Sequence, residues 1–158
     1  MGHRNLPLLL LHARESVIAH FRPLLNEHGV TEQQWRIVRA LLEKGPLEPR
    51  QIVSLCRISS PSLAGVLARM DELGLVTRER LDHDQRRVLV TPTARSRSLA
   101  ASMAPRVEAV YAAMEASLGA AFVENIYAQL DTLVSRLALP SEGLNDLPNP
   151  LSGDGLSD

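Results

Sequence analysis

Apolar residues recur at helical intervals over most of this chain and at strand intervals over one short part of it. Leu10, Ala13, Val17, Phe21, Leu24 and Leu25 predict a helix over 8–28. Pro23 either kinks that helix or starts a new turn, and Gly29 ends it. Thr31-Glu32-Gln33-Gln34 is a capping box, and Val30 is placed to pack on Trp35 as a hydrophobic staple. The helix it opens carries an apolar stripe of Trp35, Val38, Leu41 and Leu42 and stops at Gly45-Pro46. Two short helices come next. Pro49 lies in the first turn of one that runs to about Cys56, with Ile52, Val53 and Leu55 inward. Ser60 caps the other and Pro61 takes its first helical position; Leu63, Val66, Leu67, Met70 and Leu73 form its inner face, and Gly74 ends it.

After Gly74 the period changes to two. Residues 76–80 and 87–91 read as strands around a largely polar turn, 81–86, which makes a small β-hairpin with a charged tip. Pro92 or Thr93 then opens a long helix with a stripe of Leu99, Met103, Val107, Val110, Met114 and Leu118, expected to bend at Pro105. Gly119 separates it from a second one with Phe122, Ile126, Leu130, Leu133 and Leu137. Both stripes approach heptad spacing, so they pack either on a second chain or on each other. No solenoid-type repeat is present.

This order, two helices, two short helices, a hairpin and two long helices, is mainly α with a small β-hairpin wing. The short pair around Arg57-Ile58-Ser59 reads as a helix-turn-helix. Its second helix would enter a major groove by its N-terminal end, and the wing would lie along the DNA backbone and reach the minor groove. No nucleophile elbow, glycine-rich phosphate loop or paired Cys/His spacing supports an enzyme.

Charge sharpens this picture. Of 158 residues, 17 are Lys or Arg and 18 Asp or Glu, a net −1, but the charges are unevenly spread. Residues 50–97 hold nine arginines against five acids, whereas residues 98–158 hold two against eight. Arginine forks onto phosphate and reads guanine edges, so the basic middle suits nucleic acid, although a solvated arginine-rich surface has the same composition. The single cysteine excludes an intramolecular disulfide, and no apolar run of about 18 residues could span a bilayer. The short run at 6–11 lacks the marks of a signal peptide, so a cytoplasmic location is expected.

The chain resembles the MarR family of winged-helix transcription regulators over about residues 5–139. Asp84-Gln85-Arg86-Arg87-Val88-Leu89-Val90-Thr91-Pro92-Thr93 is similar to the family's wing, and Gly74-Leu75-Val76-Thr77-Arg78 to its exit from the recognition helix. Phe21-Arg22-Pro23-Leu24-Leu25-Asn26, Thr31-Glu32-Gln33-Gln34-Trp35-Arg36 and Pro61-Ser62-Leu63-Ala64-Gly65-Val66-Leu67-Ala68-Arg69 look like the subgroup that regulates homoprotocatechuate breakdown. The resemblance implies one domain over 1–139, with the winged helix-turn-helix at about 46–92 and dimerisation helices at about 6–28 and 93–139. Residues 140–158, rich in Pro, Gly, Ser and Asp, read as a flexible acidic tail. It further implies a homodimer on a pseudo-palindromic double-stranded operator, with recognition helices roughly 34 Å apart. The function implied is repression, released by a small aromatic acid. A redox response through Cys56 and a helical interaction module without DNA are the alternatives.

Site residues follow from the same match. Arg86 corresponds to the family's minor-groove arginine, and Asp84 would hold its neighbour or Arg86 itself, the alternative being a surface ion pair worth little. Arg87 either contacts phosphate or flanks the strand. Ser60, Ser62 and Arg69 are the polar groups of the recognition helix, where Ala64 and Gly65 replace the larger side chains common in the family. Arg50, Arg57, Arg78 and Arg80 are candidate phosphate contacts. An effector pocket would draw on His12, Arg14, His20, Trp35, Arg39 and Tyr111. No metal is expected, because His12, His20 and His28 do not share one helical face, and no cofactor is implied. Cys56 reads either as a buried inert thiol or as a redox sensor.

Overall fold

The computed structural model describes residues 2–81 and 84–139, with the side chains of Asp84 and Gln85 outside the description. The elements are α1 (Leu6–Ala19), α2 (Arg22–Glu27), α3 (Glu32–Lys44), α4 (Pro49–Cys56), α5 (Ser60–Glu72), β1 (Val76–Leu81), β2 (Asp84–Pro92), α6 (Ala94–Leu118) and α7 (Ala120–Leu137). The mainly α chain with one antiparallel hairpin matches the sequence expectation.

Local signals set most boundaries. The capping box forms as read: Gln34 N donates to Thr31 Oγ1 and Thr31 N to Gln34 Oε1, both at 3.1 Å. Thr93 caps α6, accepting from Ser96 N at 3.2 Å, and its hydroxyl donates to Gly74 O at 2.7 Å, which ties the start of α6 to the end of α5. Gly74 needs its positive φ of 71° for that turn. The expected single helix over 8–28 is two helices. The chain breaks at His20 and Phe21, and Pro23, with its fixed φ and missing amide, sits in the first turn of α2.

Two buried clusters organise the chain. The larger joins Ile37, Val38 and Leu41 of α3 to Ile52, Cys56, Ile58, Leu63, Leu67, Met70, Val76 and Val90. The smaller packs Phe21, Leu24 and Leu25 on Met103 and Val107 of α6. Trp35 is half-buried and touches both, so it joins the two lobes instead of only stapling a cap.

Several expectations are corrected. Leu55 is 52% exposed and points away from the core, while Ile52 and Cys56, one helical turn apart, face inward. Leu42 and Val53 are half-buried, and Ile37, unmarked in the stripe, is fully buried. The cap of α5 is Ser59, and Ser60 is already helical. Both strands are longer than read, so Arg86 lies inside β2 and not in a turn. Between the pairs Leu81↔Asp84 and Arg80↔Val88 the register slips. Helix α6 continues through Pro105.

The long apolar stripes do not bury each other. Helices α1 and α7 contain no buried residue, and Phe122, Ile126 and Leu130 of α7 are 51%, 40% and 39% exposed. Leu118 at the end of α6 is open too. A single chain therefore leaves three helices with exposed apolar faces.

Candidate nucleic-acid interface and an adjoining cleft

Helices α4 and α5 meet at 110°, within the range of a helix-turn-helix pair. The turn between them depends on Arg57, whose φ of 53° and ψ of 49° are left-handed, and on Ile58, which is buried. No side chain caps the first-turn amides of α5, because the Ser59 hydroxyl bonds Ser62 Oγ instead, at 2.9 Å. Ser60 and Ser62 are exposed there. That helix start offers bare N–H groups and a positive dipole end to an anion.

The hairpin is fixed to the helix pair at two points. Leu47 bridges Val90 through N–H···O bonds of 3.0 and 2.8 Å. Arg87 clasps Glu48, the residue before α4, at 2.8 and 3.0 Å. The Glu48 side chain is only 6% exposed. Arg87 therefore holds the wing to the start of α4.

The remaining basic candidates sort by their surroundings. Arg50 and Arg57 are exposed at the beginning and end of α4. Arg69 pairs with Glu72 at 3.0 Å and Arg78 with Asp71 at 2.9 Å. Exposed pairs of this kind contribute little and can exchange an acid for phosphate. Arg80 and Arg86 are exposed on the hairpin, Arg86 within the slipped register. The Asp84 side chain, assigned to hold its neighbour or Arg86, lies outside the described residues, as does the tail at 140–158.

On α5, Ala64 and Gly65 are exposed, and a Cβ built on Gly65 meets nothing within 4 Å. The fold itself does not require glycine at this position.

Beside the helix pair lies a cleft of about 440 Å³ between α1–α2, α3, α4 and α6. Trp35, Phe21 and Tyr111 contribute aromatic walls; Arg36, Arg39 and Lys44 contribute cations. Phe21 and Tyr111 meet edge to face at 5.0 Å between centroids, which fixes the Tyr111 ring. Trp35, Arg39 and Tyr111 thus line one cleft. His12 and His20 are exposed and stand outside this cleft in the single chain. Arg14 does not line it either, but bonds Glu32, which does, at 2.8 Å. Burial alone would raise the Glu32 carboxyl; Arg36 and Arg14 outweigh it and hold it below the usual carboxylate value.

Sequence reasoning missed Arg36 and Glu32. They stand four apart with Glu first, an i,i+4 ion pair that is an ordinary helix feature, so spacing alone gave no reason to separate them from a solvated pair. Cys56 lines the cleft but is buried, and that burial pushes its thiol up, away from the reactive thiolate. Among the described residues no His, Cys, Asp and Glu cluster suits a metal. No single helix among them is long and apolar enough to cross a membrane.

Comparison with known proteins agrees with this geometry. The MarR family profile matches residues 28–87. The chain is 38% identical to the HTH-type transcriptional regulator FarR of Neisseria gonorrhoeae over 74% of this chain and 80% of that protein. It is 34% identical to the homoprotocatechuate degradative operon repressor of Escherichia coli over 92% of this chain and 97% of that one. The solved structure of NadR in complex with 4-hydroxyphenylacetate superposes with a TM-score of 0.72 at 36% identity, covering 84% of this chain and 94% of that one.

Proposed function

The chain belongs to the MarR family, and on that premise we propose that it is a homodimeric DNA-binding repressor released by a small aromatic acid. The observation that carries the reading is the α4–α5 pair at 110° with a hairpin locked beside it by Leu47–Val90 and Glu48–Arg87. Helix α5 enters the major groove by its first turn, where Ser60, Ser62 and the bare amides meet phosphate or base edges. Arg86 reaches from the wing to the minor groove. Arg50, Arg57, Arg69, Arg78 and Arg80 add phosphate contacts, each of which steepens the salt dependence of binding. Ala64 and Gly65 favour shape and thymine-methyl contact over hydrogen-bonded readout.

The exposed apolar faces of α1, α6 and α7 form the interface between two copies, and the two recognition helices then meet a pseudo-palindrome. The effector occupies the cleft, its ring against Trp35 and Tyr111 and its carboxylate facing the cationic side that includes Arg39. Occupancy shifts the population towards an arrangement that binds DNA poorly. Work on DNA of this kind places the protein in the cytoplasm. A redox response through Cys56 is disfavoured by its burial and by the upward push on its thiol.

The reading is tested by thermal shift with a panel of aromatic acids, followed by gel shift of the promoter region of its own gene. A stabilising acid that also releases the DNA supports it. An acid that stabilises the protein yet leaves the complex intact contradicts the effector part.

A further inference from the structure

One side chain belongs both to the cleft and to the helix-turn-helix. Arg36 of α3 lines the cleft, and its Nη1 donates to the carbonyl of Cys56, the last residue of α4. The final carbonyls of a helix lack intrahelical partners and carry partial negative charge. A guanidinium there supplies both a donor and a counter-charge. The next residue is the left-handed Arg57, a conformation unfavourable for any residue with a Cβ, so neighbours must hold it. Helix α5 begins three residues further on.

The rest of the guanidinium is gripped from the cleft side. Nε and Nη2 donate to the two oxygens of Glu32 at 3.0 and 2.7 Å, and Arg14 of α1 shares Glu32 Oε1 at 2.8 Å. The thiol of Cys56 returns a bond to Arg36 O at 3.7 Å, so α3 and the end of α4 are tied twice. The chain of contacts runs from α1 through Glu32 and Arg36 to the turn that aims the recognition helix.

We propose that Arg36 is a positioning residue that reports occupancy of the cleft to α5. With the cleft empty it caps α4 and keeps the turn in its DNA-binding arrangement. A carboxylate entering the cleft is a second anion beside Glu32, and both compete for the same guanidinium. The neutral Cys56 carbonyl is the weakest of the acceptors, because charge-assisted hydrogen bonds are about twice as strong as neutral ones. It is therefore the partner given up. The last turn of α4 loses its cap, Arg57 relaxes, and α5 leaves its angle. By linkage, DNA weakens acid binding by the same factor. This rests on the acid-released, DNA-binding reading above.

The test uses the full chain, Arg36→Gln and Arg36→Lys, promoter DNA from its own gene, and 4-hydroxyphenylacetate as the probe acid. DNA affinity is measured with and without the acid, and amide hydrogen exchange is followed at residues 57–63. Without acid, Arg36→Gln should bind DNA about tenfold more weakly than the unmodified chain, a loss of about 1.4 kcal/mol. Its residual binding should change less than about twofold on adding acid, where the unmodified chain loses about tenfold. Exchange at 57–63 should quicken in Arg36→Gln, and the cation retained in Arg36→Lys should restore part of both properties. An Arg36→Gln protein that binds and releases DNA like the unmodified chain overturns the proposal. If Arg36→Gln does not fold, Arg36→Lys carries the same comparison, and unchanged release overturns it. If the acid fails to release the unmodified chain, the effector reading fails for that acid and the exchange arm decides: faster exchange at 57–63 supports the cap, and unchanged exchange overturns it.

Discussion

Arg87 and Glu48 stand 39 residues apart in sequence and clasp each other through two N–H···O bonds of 2.8 and 3.0 Å. One comes from the wing and the other from the residue that opens α4. Their neighbour Arg86 lies in the same strand but is exposed. On the proposed reading the two adjacent arginines divide the work, Arg87 holding the wing and Arg86 reaching the DNA. Arg87→Ala removes two charge-assisted bonds from a buried carboxylate and should destabilise the fold by about 1–3 kcal/mol. Arg86→Ala should lower the melting temperature less than Arg87→Ala does and weaken DNA binding, lowering the slope of log K against log salt by about 1. Thermal melts and a salt titration of both variants separate the two roles.

Gly65 offers a test in which stability and binding move apart. Its position is helical and open, so Gly65→Ala should stabilise α5 by about 0.5–1 kcal/mol. The added methyl group then stands on the face proposed to approach DNA, and on that reading affinity should fall several-fold. Melting and gel shift on the same preparation check both halves.

Glu32 sets an acid limit. Its carboxyl is held below the usual value by Arg36 and Arg14 against the effect of burial. A carboxylate lowered in the folded state adds stability above its unfolded pKa and loses it as pH falls through the folded one. The contribution is thus full above the ordinary glutamate range and is lost below it. Glu32→Gln should be less stable than the unmodified chain at neutral pH, and the difference should shrink on acidification below that range. Urea melts at a series of pH values measure it.

The apolar faces of α1, α6 and α7 predict the oligomer. Ile126→Asp and Leu130→Asp place a charge on positions that are 40% and 39% exposed in the single chain. If a second copy covers them, the double variant should run as a monomer in light scattering and lose operator affinity, since each half-site is then bound alone.

Elements marked by short-range chemistry were legible in the sequence. The Thr31/Gln34 box and the Gly74 turn are decided within three or four residues and formed where they were read, and of Pro92 and Thr93 it is Thr93 that caps α6. Other features were not. Apolar periodicity in an eight-residue helix could not tell that Leu55 turns outward while Cys56 turns in. Strand length was underestimated because the pairing carries on through a register slip that no local signal announces. The two contacts that organise the candidate site, Arg87 with Glu48 and Arg36 with Cys56, span 39 and 20 residues. Only packing brings such pairs together. His12 and His20 were chosen as residue types suited to an acid, and the single chain leaves them outside the cleft.

The central claim is that α5 and the wing read operator DNA. Fluorescence anisotropy of the full chain with promoter DNA from its own gene and with random DNA of equal length, at graded salt, tests it most directly. The account predicts a preference of about 10³-fold or more for the promoter, and a steep loss of affinity with salt that Arg86→Ala reduces. Equal affinity for both DNAs at every salt concentration would contradict it.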